Sequence, residues 1–177
     1  MGFIFKHGIL IAVDSRASQG TYEADDGVQK VIEMNDMLLG TMAGGAADCQ
    51  FWEQNLARLI KTYELQNGEK ISVSGATQLF ASMMFQNRGR GLSIGTQIAG
   101  FDDTGPHLYY LDNDGNRIEG KKFTCGSGGT YAYGILDTYW KMDLSVEEAV
   151  ELGKLAISEA TYNDAGSGGY CSVYHIY

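Results

Sequence analysis

The sequence is poor in proline, in cysteine and in basic residues, and each shortage excludes a class of protein. There is one proline, Pro106, in 177 residues, and the three cysteines (Cys49, Cys125 and Cys171) are far apart and form no CxxC pair. An odd, scattered set of cysteines argues against a disulfide framework or a zinc site and fits a reducing compartment. Lysine and arginine total 13 against 22 acidic residues. The resulting net charge of −9 argues against a protein that binds the phosphates of nucleic acids.

Long apolar runs are missing as well. No stretch reaches the roughly 18–20 residues that a membrane-spanning helix needs, and no charged leader followed by an apolar segment opens the sequence. In their place the sequence has 44% apolar residues and 24 glycines. The apolar share predicts a sizeable core, and many glycines beside one proline indicate tight turns in an ordered chain. We therefore expect one domain over residues 1–177, without a linker, an internal repeat or a membrane partner.

The order of the apolar patterns predicts an α+β chain with antiparallel sheets. Apolar runs separated by short turns open the sequence and favour hairpins over crossover connections. Two helical periods follow, over Trp52–Tyr63 and Val73–Met84, with Glu53 outside the first apolar stripe. Strand patterns then return. A helix over Tyr131–Trp140, a second helix opened by the capping box Ser145–Glu148 and a final strand complete the pattern.

Asp14 and Lys30 are the first candidates for chemistry. Asp14 follows the apolar run Ile9–Val13 in phase with its core-facing residues, and Lys30 lies on the predicted apolar face of a strand over Val28–Met34. Because a buried charge is costly unless it is paired, we expect the two side chains to pair. Such a pair is either structural or tunes a neighbouring nucleophile, and the spacing does not decide between these two functions.

Three glycine-rich segments are further candidates. Residues Met42–Ala47 lead through two glycines into a helix N-terminus, where backbone N–H groups can stabilise developing negative charge. Ser127 and Ser167 each lie in a Gly-Ser-Gly-Gly loop, and Asp164 supplies a carboxylate that can orient a hydroxyl group. Tight turns and plain connections are the alternatives. Because no P-loop, GxGxxG, HExxH or EF-hand pattern is complete, the sequence predicts no metal site and no cofactor.

With these pieces together, the sequence resembles the β-type subunits of the proteasome core particle, and most of all their eukaryotic chymotrypsin-like members. The resemblance extends over nearly the whole chain. It implies the fold of N-terminal-nucleophile hydrolases, a four-layer αββα sandwich in which two antiparallel sheets lie between helix pairs. The segments that carry it, in matching order, are Val13–Ala17, Gly40–Cys49, Tyr131–Gly134, Ala160–Tyr162 and Ser167–Gly169.

The resemblance implies a threonine endopeptidase that cleaves unfolded polypeptides after large apolar residues and is blocked by peptide-like, threonine-directed inhibitors. It also implies stacked rings with other α- and β-type subunits, which carry out ubiquitin-dependent proteolysis in the cytoplasm and nucleus. In that family the nucleophile is the hydroxyl of a threonine at the mature N-terminus, ahead of the residue that matches Met1. We expect the 177 residues to lack that segment and the C-terminal tail. A non-catalytic structural subunit of the ring is the alternative, and a non-proteolytic α+β domain is a third possibility.

The same resemblance implies a role for individual residues. Lys30 is the cation that lowers the pKa of the nucleophile, and Asp14 holds this lysine. Arg16 belongs to the same charge cluster, and the Gly44 amide is the donor to the oxyanion. Gln19 stands where the family usually has a small alanine. The resemblance also places Ser127, Asp164 and Ser167 around the threonine amine. It places Ser18, Gly44 and Ala46 along the substrate backbone. An apolar specificity pocket is implied at Ala17, Val28, Met42 and Cys49, with Gln19, Gly20 and Gly45 beside it.

Overall fold

The chain divides into two units in a computed structural model that describes residues 1–19 and 22–177. The first unit comprises Met1–Lys30 and Lys121–Tyr177, and the second comprises Val31–Gly120. The prediction of a single domain stays a prediction. In chain order the described residues form the strands β1 (Gly2–Phe5), β2 (Gly8–Val13), β3 (Ala17–Gln19), β4 (Tyr22–Asp25), β5 (Val31–Asn35), β6 (Leu38–Thr41) and β7 (Ala43–Gly44), the helices α1 (Ala46–Asn67) and α2 (Val73–Gln86), the strands β8 (Ile94–Asp102), β9 (Gly105–Asp112), β10 (Arg117–Glu119) and β11 (Lys122–Phe123), the helices α3 (Gly129–Tyr139) and α4 (Val146–Asn163), and the strand β12 (Ser172–Ile176).

The first unit is built on an antiparallel sheet with the strand order β11-β1-β2-β12. The predicted hairpin at the start of the chain is present, with Phe5 of β1 paired to Gly8 of β2. Every residue of β2 is buried, as expected for a central strand. Helices α3 and α4 bury an apolar core with the sheet residues Phe3, Phe5, Leu10 and Ala12.

Local signals position the two ends of α4. At its start the predicted capping box is formed, because Ser145 Oγ accepts from Glu148 N at 3.2 Å and Ser145 N donates to the Glu148 carboxylate at 2.8 Å. At its end, the N–H of the C-cap residue Asp164 donates to Ala160 O. The helix therefore presents the Asp164 carboxylate at its C-terminal end, beside the loop that leads to β12.

The second unit is built on an antiparallel sheet with the strand order β10-β9-β8-β6-β5, and β7 also pairs with β8. Both predicted helices of this unit are present as α1 and α2. Their apolar faces pack on the sheet around buried residues such as Leu56, Phe80 and Ile98. Within the described ranges, no helix combines the length and the apolar character that crossing a membrane requires.

Two predictions about the second unit are wrong. Strand β5 begins at Val31 and not at Val28, so Lys30 precedes the strand and does not alternate along it. Val31 and Met34 are the buried residues of β5, because the pairing with β6 shifts between Glu33 and Asn35 and breaks the two-residue period. In α1, Glu53 is fully buried although the apolar stripe excluded it.

The fold class is confirmed as α+β, since the described strand pairs are antiparallel and each unit combines a sheet with a pair of helices. The strand pattern over Arg117–Cys125 is split into β10 and β11, which belong to different sheets. The short hairpin of β3 and β4 escaped prediction.

Candidate active site

Asp14 and Lys30 form an ion pair in the first unit. Asp14 directly follows β2 and Lys30 directly precedes β5, and Lys30 Nζ donates to Asp14 Oδ1 at 2.6 Å. The other carboxylate oxygen, Asp14 Oδ2, accepts from Gly168 N at 3.0 Å and from Arg16 N at 3.4 Å. The side chains of Lys30 and Asp14 are 20% and 14% exposed. Since both carboxylate oxygens have donors, Asp14 is held in one orientation and fixes the position of the Lys30 ammonium group.

Ser127, Asp164 and Ser167 form a second cluster in the same unit. Both serine hydroxyls donate to Asp164 Oδ2 at 2.6 Å, and Gly166 N donates to Asp164 Oδ1 at 3.2 Å. Burial raises the pKa of Asp164, but these hydrogen bonds and the charge of Lys30 lower it, and the resulting pKa lies below its ordinary value. Gly168, whose N–H donates to Asp14 Oδ2, directly follows Ser167, so the two clusters are adjacent and form one site.

The two Gly-Ser-Gly-Gly loops are interlocked. A Cβ atom at Gly128 would lie 2.7 Å from Ser167 Oγ, and a Cβ atom at Gly166 would lie 2.9 Å from Ser127 Oγ. Each loop therefore uses a glycine to let the serine of the other loop approach closely. Taken separately the loops were weak signals in the sequence, but the fold makes them two halves of one hydrogen-bonded cluster around Asp164.

The backbone of Met1 pairs with β2. It donates to Ala12 O at 2.8 Å, and Ala12 N donates to Met1 O at 2.9 Å, so Met1 pairs with β2 like a strand residue. It therefore extends the β1–β2 pairing by one residue ahead of Gly2. Met1 is buried in the core of the first unit.

In the second unit, Met42–Ala46 forms the predicted passage from a strand through two glycines into a helix. Gly44 has a φ of +96°, and a Cβ atom there would lie 2.7 Å from Ser93 O, so the turn requires glycine. Gly45 is the N-cap of α1. Cys49 Sγ donates to Ala43 O at 3.2 Å and fixes the helix against the strand. Met42 is buried.

The structure brings together six of the seven predicted catalytic positions, all in the first unit. Gly44, the seventh, belongs to the second unit, together with the predicted binding residues Met42, Gly45, Ala46 and Cys49. Of the other predicted binding residues, Gly20 lies outside the described residues. Three more, Ala17, Ser18 and Gln19, form β3. The last, Val28, is held near β2 because its N–H donates to Ser15 O. The positions gathered in the first unit are Asp14, Arg16, Lys30, Ser127, Asp164 and Ser167.

Two contributors to the site escaped the sequence analysis. The backbone N–H of Gly168 holds Asp14 Oδ2, and the carboxylate of Asp26 holds the Arg16 side chain. No sequence pattern identifies a backbone donor, but the acidic turn Asp25–Gly27 near Arg16 was a usable signal. Across residues 1–19 and 22–177, no group of three or more histidine, cysteine, aspartate or glutamate residues is arranged to hold a metal ion.

A fixed lysine–carboxylate pair and an interlocked serine–aspartate cluster thus lie together in the first unit. Residues 1–176 match the family of proteasome subunits, and the chain therefore belongs to that family.

Its relatives include plant and animal proteins. The chain is 56% identical over 176 residues to proteasome subunit beta type-5-B of Arabidopsis thaliana. This match covers 99% of the chain and 64% of the relative. It is 55% identical over 176 residues to proteasome subunit beta type-5 of Spinacia oleracea, covering 99% of the chain and 65% of the relative. Identity to the Gallus gallus beta type-5 subunit is 54%, over 99% of the chain and 69% of the relative. The chain thus spans slightly less than two thirds of the two plant relatives.

Proposed function

We propose that this chain is the catalytic domain of a β-type subunit of the proteasome core particle. In this proposal it is a threonine endopeptidase whose nucleophile is a threonine ahead of Met1 in the mature protein. The observation that carries the proposal is the Lys30 ammonium, which Asp14 holds at 2.6 Å beside the serine–aspartate cluster of Ser127, Asp164 and Ser167. The names of the beta type-5 relatives support it.

Lys30 and Asp14 would activate the nucleophile. A fixed positive charge stabilises the alkoxide form of a neighbouring hydroxyl group, so Lys30 lowers the pKa of the threonine hydroxyl. Asp14 keeps Lys30 oriented, because its two oxygens are held by Lys30 Nζ and Gly168 N. The hydroxyl oxygen then attacks the carbonyl carbon of the scissile peptide bond, and its proton passes to the threonine α-amino group or to a water molecule.

The rest of the reaction needs a donor to the oxyanion and a site for the amine. We assign the first role to the Gly44 N–H and the second to the cluster of Ser127, Asp164 and Ser167, whose carboxylate attracts an ammonium group. When the C–N bond breaks, the leaving amine takes the transferred proton and the acyl group stays as an ester on the threonine. A water molecule then attacks this ester, which releases the acid and regenerates the hydroxyl group.

The substrates in this proposal are unfolded polypeptides that are cleaved after large apolar residues. An extended substrate can pair with a strand edge through its backbone, and apolar side chains such as those of Ala17, Val28, Met42 and Cys49 favour an apolar side chain before the scissile bond. We also propose that the subunit works in stacked rings with other α- and β-type subunits, in the cytoplasm and nucleus. The scattered cysteines of the sequence are compatible with such a reducing compartment.

N-terminal sequencing and intact mass of the subunit in its natural assembly test the nucleophile. We expect a threonine ahead of the Met1 segment and a mass increase of one inhibitor after treatment with a peptide epoxyketone. A subunit in the ring that has no such threonine and takes up no inhibitor would instead be a non-catalytic structural member of the ring.

Replacement of the activating cation gives the first prediction. In the assembled particle, Lys30→Ala is expected to lower kcat/KM for cleavage after large apolar residues by about 100-fold or more, because the hydroxyl loses the charge that lowers its pKa. Ring assembly, checked by native gel electrophoresis, is expected to be intact. The matched control is Lys122→Ala, which removes another ion-paired lysine, 2.7 Å from Asp137 and 26% exposed. Full activity of the Lys30 variant would contradict the role of Lys30.

A further inference from the structure

Asp26, in the turn between β4 and β5, binds the side chain of Arg16 with both carboxylate oxygens. Arg16 Nε donates to Asp26 Oδ1 at 2.8 Å, and Arg16 Nη2 donates to Asp26 Oδ2 at 3.4 Å. The Arg16 side chain is 19% exposed and that of Asp26 is 51% exposed. Because a guanidinium group is planar, two bonds to one carboxylate fix its orientation as well as its position.

The turn that carries Asp26 is itself attached to the framework of the site. Ser15, which is almost completely buried, donates from Oγ to Asp26 O and accepts at Oγ from Tyr170 N at 2.9 Å. Val28 N donates to Ser15 O at 2.9 Å. These bonds join three segments, namely the end of β2, the Asp26 turn and the loop before β12, so the Asp26 carboxylate has a defined position despite its exposure.

The Arg16 guanidinium group packs against the backbone of Gly168. It lies directly against the Gly168 Cα, where a Cβ atom would overlap the guanidinium carbon, and Arg16 Nη1 donates to Ala165 O at 3.4 Å. Gly168 N in turn donates to Asp14 Oδ2 at 3.0 Å, and Asp14 Oδ1 accepts from Lys30 Nζ at 2.6 Å. A continuous series of contacts therefore runs from Asp26 through Arg16, Gly168 and Asp14 to Lys30.

We propose that Asp26 is a positioning residue for Lys30: its carboxylate fixes the Arg16 guanidinium, which sets the Gly168 backbone that orients Asp14. The inference rests on the proposed function, since it concerns the efficiency of the same site. The hydrogen bond from Arg16 lowers the pKa of Asp26, so the carboxylate is charged throughout the neutral range. Asp26 touches neither the substrate nor the reacting atoms in this scheme. Its effect on the reaction passes entirely through Arg16.

Asp26→Asn in the assembled particle tests the inference. The amide keeps the size of the carboxylate but removes its charge and one acceptor for Arg16. We expect kcat for an apolar peptide substrate to fall about fivefold with KM unchanged, and inactivation by a peptide epoxyketone to slow by the same factor. The acid limb of the kcat profile is expected to move to lower pH, because the uncompensated guanidinium disfavours protonation of neighbouring bases. Asp26→Glu, which restores the charge, is expected to recover most of the loss.

The matched control is Asp114→Asn. Asp114 is a similarly exposed aspartate, at 48%, and its Oδ1 is 3.2 Å from Nε of Arg88 in the second unit. This variant is expected to retain the kinetics and the pH profile of the unmodified particle. An Asp26→Asn particle with unchanged kcat and pH profile, or with a raised KM alone, would overturn the inference. Failure of the unmodified subunit to react with the epoxyketone would overturn the proposed function itself, whatever the Asp26 variant does.

Discussion

Glu53 is an acidic side chain inside an apolar core. It is fully buried in α1, and among the residues that the structure describes neither of its carboxyl oxygens has a hydrogen-bond partner. The carboxyl group lies against Gly40 of β6, where a Cβ atom would be 2.5 Å from Glu53 Oε2 and 2.6 Å from Met34 Cε. Burial raises the pKa of Glu53 to about 8. At neutral pH the folded chain therefore holds Glu53 mainly as a neutral acid.

This protonation makes the stability of the chain depend on pH. The pKa of Glu53 in the folded chain is about 8 and its ordinary value is 4.5, so the folded state binds the proton more tightly than the unfolded state does. The contribution is fully present below pH 4.5 and is lost as pH rises through about 8. Glu53→Gln is expected to flatten this dependence, which amounts to at most about 1.4 kcal/mol per pH unit.

Denaturant unfolding of the chain at about pH 5.5 and about pH 8.5 measures the effect, because the free energy of unfolding is obtained at each pH. Glu69→Gln, which neutralises an exposed acid just beyond α1, is the control and is expected to follow the unmodified chain. Parallel pH curves for the Glu53 variant and the unmodified chain would contradict a buried neutral acid.

The comparison of Asp14 with Glu53 explains which residues of the site could be predicted. Asp14 and Lys30 were paired correctly from the sequence, because two buried opposite charges have few other ways to be satisfied. Glu53 was placed outside the apolar stripe of its helix, whereas it is buried against Gly40 of a distant strand, which no local pattern shows. Gly168 holds Asp14 through a backbone N–H, which every residue except proline possesses, so its role follows from the fold alone.

At the scale of elements, helices were more predictable than strands because their ends are determined locally. The start of α4 follows from its own capping box, and α1 ends at Asn67 because the C-cap residue Gly68 has a φ of +70°. Strand limits depend on distant partners. The start of β5 at Val31 is set by its pairing with β6, and the division of the Arg117–Cys125 pattern follows from its pairing with two different sheets.

The capping box of α4 gives a prediction at this scale. Ser145→Ala removes the side-chain acceptor for Glu148 N and is expected to lower the free energy of unfolding by about 1 kcal/mol. Ser158→Ala, in the exposed middle of the same helix, is expected to leave it unchanged or raise it slightly, because alanine has the higher helix propensity. Denaturant unfolding measures both variants. Equal effects of the two substitutions would mean that the cap contributes nothing to the stability of the helix.

For the molecule as a whole, the important feature is the number of large apolar side chains left exposed. Both units contribute them, and single exposed apolar residues are common on any protein. Here several of them lie on helices and others in the loop before β12 and after it, and a monomer gains nothing from this arrangement. The most exposed are Phe51, Leu65 and Phe85 in the second unit and Tyr139, Tyr162, Tyr170 and Tyr177 in the first.

We therefore expect the isolated chain to self-associate, because burying these side chains against another subunit is favourable. Since a net charge of −9 repels a second copy, added salt is expected to strengthen the association by screening that repulsion. Sedimentation velocity at several chain and salt concentrations measures this. Leu155 and Tyr162 are 47% and 87% exposed and lie two turns apart on one face of α4, so replacing both with glutamine is expected to weaken association.

The control for that double variant replaces the exposed ion pair of Glu151 and Lys154 on the same helix with two glutamines. It leaves the net charge and the apolar surface unchanged, so association is expected to match that of the unmodified chain. If the control weakened association as much as the apolar variant did, polar contacts of α4 would be responsible. A chain that stayed monomeric at every concentration and at high salt would contradict an apolar subunit interface, because screening removes the one long-range force that keeps the copies apart.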